Sequence, residues 1–157
     1  MTANAFAQQD DNVTQWATFR LEKELYGIDV MLVQEVQRFT EITPVPGAPA
    51  FVLGIINLRG NVVTIIDTRS RFGLGPFEVT DATRIIIVEI TGQVLGLLVD
   101  SVAEVVYVSH SEIEKTPNVG TDDSAKYISG VCNKNDELLI LIALDNFVGS
   151  EDGFEIF

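Results

Sequence analysis

Few side chains in this sequence are equipped for chemistry. The single histidine, His110, stands between two serines in Ser109-His110-Ser111, and the single cysteine, Cys132, lies in the apolar stretch 127–132. A thiol becomes a nucleophile when a basic neighbour lowers its pKa, and Cys132 has none, so it reads as a small core residue. One cysteine and one histidine do not close a zinc site. Asp122-Asp123 lacks the spaced acids of a calcium loop. Gly73-Leu74-Gly75-Pro76 is not a dinucleotide fingerprint, because proline stands where the helix would begin. There is no Gly-x-Ser-x-Gly elbow, and although carboxylates abound, nothing singles out an acid–base pair. The expectation is a protein with no catalytic residues, no metal and no cofactor.

What remains is binding, and one segment stands out. Residues 51–73 read as strand, tight turn, strand and helix start, with the turn at Asn57-Leu58-Arg59-Gly60. Residues 127–149 repeat that hydrophobic frame, but the turn becomes Asn133-Lys134-Asn135-Asp136. A frame that recurs while its tip changes suggests a duplicated scaffold with a function placed on one copy. The duplication extends upstream. Gly27, Val30, Val33, Glu35 and Val36 align with Gly96, Val99, Val102, Glu104 and Val105 at a constant offset of 69, whereas Phe51, Gly54, Asn57 and Gly73 align with Tyr127, Gly130, Asn133 and Gly149 at 76. The polar loop 109–126 supplies the difference.

The elements that must carry these residues are mostly strands. Alternation from Trp16 predicts a half-buried strand, returning over 24–30. One helical turn over 31–36 then leads to a strand at 37–42, and Pro44, Pro46, Gly47 and Pro49 break regular structure. Strands follow at 51–58 and 62–66 around the Arg59-Gly60-Asn61 turn. Asp67 N-caps a short helix that ends at Gly73. The second half repeats the plan with strands at 83–90, 94–100, 102–108, 127–132 and 138–142, and a short helix at 144–148. Turn signals every 8–12 residues imply small barrels or a sandwich. Each repeat is too small for a large core of its own, so two barrels pack together along an apolar seam or groove, for which Val30, Val33, Val36, Val99, Val102 and Val105 are candidates.

The totals fit this picture. The 157 residues suit one compact domain or two small subdomains, 46% are hydrophobic, and the net charge is −13. Such a charge disfavours nucleic acid and anionic membrane surfaces. The charge is uneven: residues 1–84 hold ten acidic and seven basic side chains, and 85–157 hold thirteen and three. The longest apolar run, 138–144, is far short of a membrane span, and the start lacks the basic residues of a signal peptide. A cytoplasmic location is expected.

The ordered set Tyr26-Gly-Ile-Asp-Val30, Val33-Gln-Glu-Val36, Thr43-Pro-Val-Pro46, Gly54-Ile-Ile-Asn-Leu-Arg-Gly60 and Val99-Asp100 resembles the CheW family of bacterial chemotaxis coupling proteins, over roughly residues 14–148. The resemblance implies a mainly β fold of two small five-stranded β-barrels packed together, with short helices. It implies a flexible tail at 1–13, subdomain one at about 27–82, subdomain two at about 83–148 with strand 14–26 joining the barrels, and an acidic tail at 149–157. It also implies a non-enzymatic adaptor, recruited to receptor arrays, that joins methyl-accepting chemoreceptors to the histidine kinase CheA. On that reading Arg59 pairs with Glu35 through a directional guanidinium–carboxylate contact. Asn57 and Gly60 shape the turn, and Leu58, Arg59 and Gly60, which the second copy lacks, carry the partner contact. Val30, Val33, Val36 and Val102 line a groove for the receptor tip, and Ile55 and Ile56 face the kinase's own CheW-like domain. Thr64 and Thr68 depart from the family pattern, which has proline and leucine there. The alternatives are a coupler for a chemosensory-type pathway controlling pili, surface motility or biofilm, and, more remotely, a small ligand-binding or enzymatic barrel.

Overall fold

The computed structural model describes residues 12–115 and 127–146. The expected tails at 1–13 and 149–157 therefore lie outside the described residues, apart from Asn12 and Val13, and Val13 already belongs to the first strand. In order along the chain the strands are β1 (Val13–Leu21), β2 (Glu24–Asp29), β3 (Val33–Arg38), β4 (Val52–Leu58), β5 (Asn61–Asp67), β6 (Arg84–Ile90), β7 (Gln93–Val99), β8 (Ser101–Ser109), β9 (Ile128–Lys134) and β10 (Glu137–Ile142). A four-residue helix, α1 (Thr68–Arg71), follows β5, with Asp67 accepting a hydrogen bond from the Ser70 N–H as its N-cap. Short 3₁₀ turns cover Val30–Leu32, His110–Glu112 and Leu144–Asn146.

The strands form two five-stranded sheets, β8-β1-β2-β10-β9 and β3-β6-β7-β5-β4. Each order mirrors the other once the duplication is applied. The first hairpin of each repeat, β1–β2 or β6–β7, sits among the last three strands of the other. The split expected at residue 83 is therefore corrected. The second sheet is the continuous segment from β3 to β7, and the first sheet is built from the strands that flank it. The reason is pairing: β2 adds parallel to β10, and β7 adds parallel to β5, so each repeat donates its hairpin across the seam.

A second correction concerns 31–42. The helical turn is confined to Val30–Leu32, where the Asp29 carboxylate caps the Met31 N–H at 2.9 Å. The strand starts at Val33 rather than 37, as the β-branched Val33 and Val36 favour.

Neither sheet is a continuous closed barrel. In each, an isolated bridge ties one edge strand to the segment that follows the other edge: Thr43, beyond β3, with Ile55 of β4 in the second sheet, and Glu114, beyond β8, with Val131 of β9 in the first, each through two backbone hydrogen bonds of 2.8–2.9 Å. Glycine makes that close approach possible. A Cβ on Gly54, whose φ is +152°, would lie 2.1 Å from the Thr43 carbonyl oxygen, and one on its duplicate Gly130 would lie 3.0 Å from that of Glu114.

Among the described residues, three apolar clusters hold the fold. Ile56, Val63, Ile65, Ile85, Ile87 and Leu98 fill the second sheet's interior, and Leu25, Val108, Cys132, Leu139 and Leu141 that of the first. The largest cluster is shared between the sheets. Phe19, Tyr26 and Ile28 from one meet Ile86, Val88, Leu97 and Val99 from the other, with Phe72 and Tyr127 beside them. Burial there pushes the Tyr26 phenol up to about 12. Val99 is thus a seam residue, whereas Val36, Val102 and Val105 stand exposed at its margin.

Candidate partner-binding site

The tip of the β4–β5 hairpin is a two-residue loop, Arg59-Gly60, with φ of +51° and +88°. Positive φ at both central positions is the type I′ geometry that suits the twist of a hairpin, and it favours asparagine and glycine. The residues that take positive φ are Arg59 and Gly60, with Asn61 already in β5. Asn57 locks the turn by accepting the Gly60 N–H at 2.8 Å. The β9–β10 hairpin has the same loop at Asn135-Asp136, with φ of +53° and +65°. The backbone is thus duplicated, and at the position where the second copy has the favoured asparagine the first has arginine.

That arginine reaches β3. Its guanidinium donates from Nη1 to Glu35 Oε1 at 3.3 Å and from Nη2 to Oε2, while Gln37 Nε2 donates to Oε1 at 3.0 Å. The Arg59 hydrogen bond, with help from Gln37, holds the Glu35 carboxyl below its ordinary range. The Arg59 side chain remains 65% exposed. Two donors are spent on Glu35, and the remaining N–H groups meet no acceptor among the described residues. Around the pair is an open cleft of about 460 Å³, lined by Gln34, Leu58, Asn61, Val62, Gln93 and Val94 among others. A second cleft of about 400 Å³ holds Thr43, Ile55, Ile56, Asn57 and Val62. Val62 is exposed there, as is its duplicate Leu138 on the other hairpin. Ile56 is 5% exposed and belongs to the core of its sheet, because alternation along β4 turns it inward; Ile55, half-buried, is the one of the two that reaches that surface.

The valines expected in a groove fall at the sheet margins. Val36 pairs with Ile86, and Val102 and Val105 pair with Phe19 and Ala17, so all three share faces with the seam cluster. They lie on β3 and β8, which are edge strands. The Val30–Leu32 turn packs against β1 and β6, the inner neighbours of those edges. Val30 and Val33 are half-buried at its ends, and Met31 is 84% exposed between them.

Sequence reasoning missed the clamp where the chain crosses back from β7 to β8. Asp100, the residue between those strands, receives Arg69 Nε at 3.0 Å and Nη2 at 2.6 Å, accepts the Glu22 N–H at 2.7 Å, and donates its own N–H to the Arg20 carbonyl. Arg69 also lies over the Phe77 ring. The two-residue spacing of Arg69 and Arg71 was the available signal, since Arg71 packs over Phe51 and donates to the Tyr127 hydroxyl at 2.7 Å. His110 is exposed in its 3₁₀ turn, and burial raises the pKa of the Cys132 thiol. Among the described residues no group of three or more His, Cys, Asp or Glu is placed to hold a metal, and no helix is long and apolar enough to cross a membrane.

A family model described as the CheW-like domain matches residues 15–152. The chain is 37% identical over 134 residues to the chemotaxis protein CheW of Rhizobium meliloti, covering 85% of this chain and 86% of that one. It is 33% identical over 147 residues to the chemotaxis protein CheW of Treponema pallidum, covering 91% and 86%. Among solved structures, the scaffolding protein TtCheW from Thermoanaerobacter tengcongensis matches with a TM-score of 0.79 and 41% identity, over 87% of this chain and 88% of that one.

Proposed function

The chain belongs to the CheW-like domain family, and on that footing we propose that it joins the cytoplasmic tip of chemoreceptors to the histidine kinase CheA. It is a non-enzymatic coupling adaptor of chemotaxis signalling. The two partners take different faces, so that holding them together raises the local concentration of one beside the other. The receptor's helical tip lies in the groove between β3 and β8, against Val30, Val33, Val36 and Val102, by the helix-in-groove mode. The kinase's CheW-like domain meets the β4–β5 hairpin at Ile55, Asn57, Leu58 and Gly60. The adaptor works in the cytoplasm and joins membrane-associated arrays through the receptor.

The observation that supports this reading is Arg59. It occupies a left-handed turn position that the second hairpin fills with the better-suited Asn135, and it stays exposed while Glu35 orients it. The turn does not require arginine, so the guanidinium is kept for contact. The test is a pull-down of receptor fragment and kinase with wild type, Arg59→Glu and Arg59→Asn. Both variants are expected to fold, with melting temperatures lowered only by the small contribution of an exposed ion pair, because Asn135 shows that the turn forms without a guanidinium. Arg59→Glu is expected to lose one of the two partners. Retention of both at wild-type strength would remove Arg59 from the contact.

A further inference from the structure

Arg38 and Arg84 stand directly opposite each other across the β3–β6 pair. Like charges in that register repel, and the chain as a whole carries a net charge of −13 with only ten lysines and arginines. Arg84 is held by backbone carbonyls, donating to Asp81 at 2.8 Å and Thr83 at 2.9 Å. Arg38 is exposed and makes no hydrogen bond or ion pair with any described residue. Two cations have therefore been set side by side without a carboxylate between them. Their position gives the arrangement a direction. Arg38 follows Val36 by two residues on the same face of an edge strand, and the partner of Val36, Ile86, belongs to the seam cluster. The basic pair thus continues the apolar margin of the groove.

We propose that Arg38, reinforced by Arg84, receives an acidic side chain of the helical segment that docks in the groove, and so selects among receptor tips by charge. This rests on the groove assigned above to the receptor. Two residues of strand span about 6.8 Å and four residues of helix about 6 Å. A helix running along β3 would place its acid one turn from the apolar residue seated on Val36, in an apolar-x-x-x-acid pattern. A polyanion such as nucleic acid fits poorly, since the remaining surface is strongly negative. A single carboxylate matches a two-arginine site.

The test measures binding of a soluble receptor hairpin fragment and of the kinase to the full chain carrying Arg38→Glu, Arg38→Ala or Val102→Glu. Arg38→Glu removes a like-charge contact, so folding is not at risk, and thermal melts check this. The expected result is about a tenfold loss of receptor affinity for Arg38→Glu, a shallower salt dependence for Arg38→Ala and unchanged kinase binding. A Glu→Arg exchange in the fragment, one turn from its apolar anchor, is expected to restore affinity for Arg38→Glu. If Val102→Glu abolishes receptor binding while Arg38→Glu leaves it intact, the charge assignment falls and the groove stands. If neither variant affects receptor binding, both fall. If Arg38→Glu changes only self-association, the arginines serve a second copy of the chain and the proposal is overturned.

Discussion

Replacing Gly54 with alanine tests the idea that one bridge closes each sheet. The added Cβ would sit 2.1 Å from the Thr43 carbonyl oxygen, 2.7 Å from its carbon and 2.9 Å from Ile42 Cγ2. The first two are backbone atoms, so relief requires the 43 segment to retreat by about 1 Å. That movement breaks the reciprocal hydrogen bonds between Thr43 and Ile55, at 2.9 and 2.8 Å, each contributing about 1 kcal/mol net. Holding a residue with a Cβ at φ of +152° adds roughly 1–2 kcal/mol of strain. The expected loss is about 3–4 kcal/mol, or about 10 °C in Tm for a chain of this size. Gly130→Ala is the internal control, because its φ is ordinary and its tightest neighbour, Ile113 Cγ2 at 2.6 Å, is a side chain that can move. It is expected to cost about half as much. Thermal and urea unfolding followed by circular dichroism give both values, and amide exchange at Ile55 reports whether the bridge has opened. A Gly54→Ala protein that melts within about 3 °C of wild type, or below which Gly130→Ala falls, would refute the closure argument.

Thr64 and Thr68 are 2% and 0% exposed, and among the described residues their hydroxyls lack a hydrogen-bond partner. Thr64→Val and Thr68→Val should each stabilise the protein by about 1 kcal/mol in urea unfolding, since the hydroxyl's desolvation is uncompensated. The Glu35 carboxyl, lowered by Arg59 and Gln37, contributes stability that is present above the unfolded carboxylate range and lost as pH falls through its lowered folded value. Its NMR titration should move back toward the ordinary value in Arg59→Asn, and no movement would mean the pair does not persist in solution.

Much of the architecture was legible because strands alternate and because the chain repeats itself. Gly54 and Gly130, found as spaced glycines, turned out to be the crossing points of the two bridges. Thr64 and Thr68, noted as departures from a family pattern, are the two threonines whose buried hydroxyls lack partners among the described residues. Arg59 and Glu35 were paired on resemblance and meet in space. What the sequence concealed is set by pairing between distant segments. Nothing local in β2 says that it will lie parallel to β10, so the boundary at residue 83 was misplaced. Ile56 and Ile55 are equally apolar, and only the register of β4 against β5 decides which is buried. Arg38 and Arg84 are 46 positions apart in the numbering and become neighbours through the β3–β6 register.

The nesting of one sheet inside the other also fixes an order of events during synthesis. The second sheet is encoded without interruption from β3 to β7, so its strands can pair as soon as β7 leaves the ribosome. The first sheet cannot. Its β1–β2 hairpin is made earliest and must wait for β8, β9 and β10, which are made last. Through that interval Phe19, Tyr26 and Ile28 have only the newly formed second sheet to cover them. The early sheet thus serves as a template on which the late one is assembled. Since the early sheet holds Arg59, Glu35 and Arg38, while the groove proposed for the receptor needs Val102 from β8, a chain cut short before β8 would keep the hairpin surface but lack one wall of that groove. On the proposed reading, the hairpin surface is made before the groove, which waits for β8.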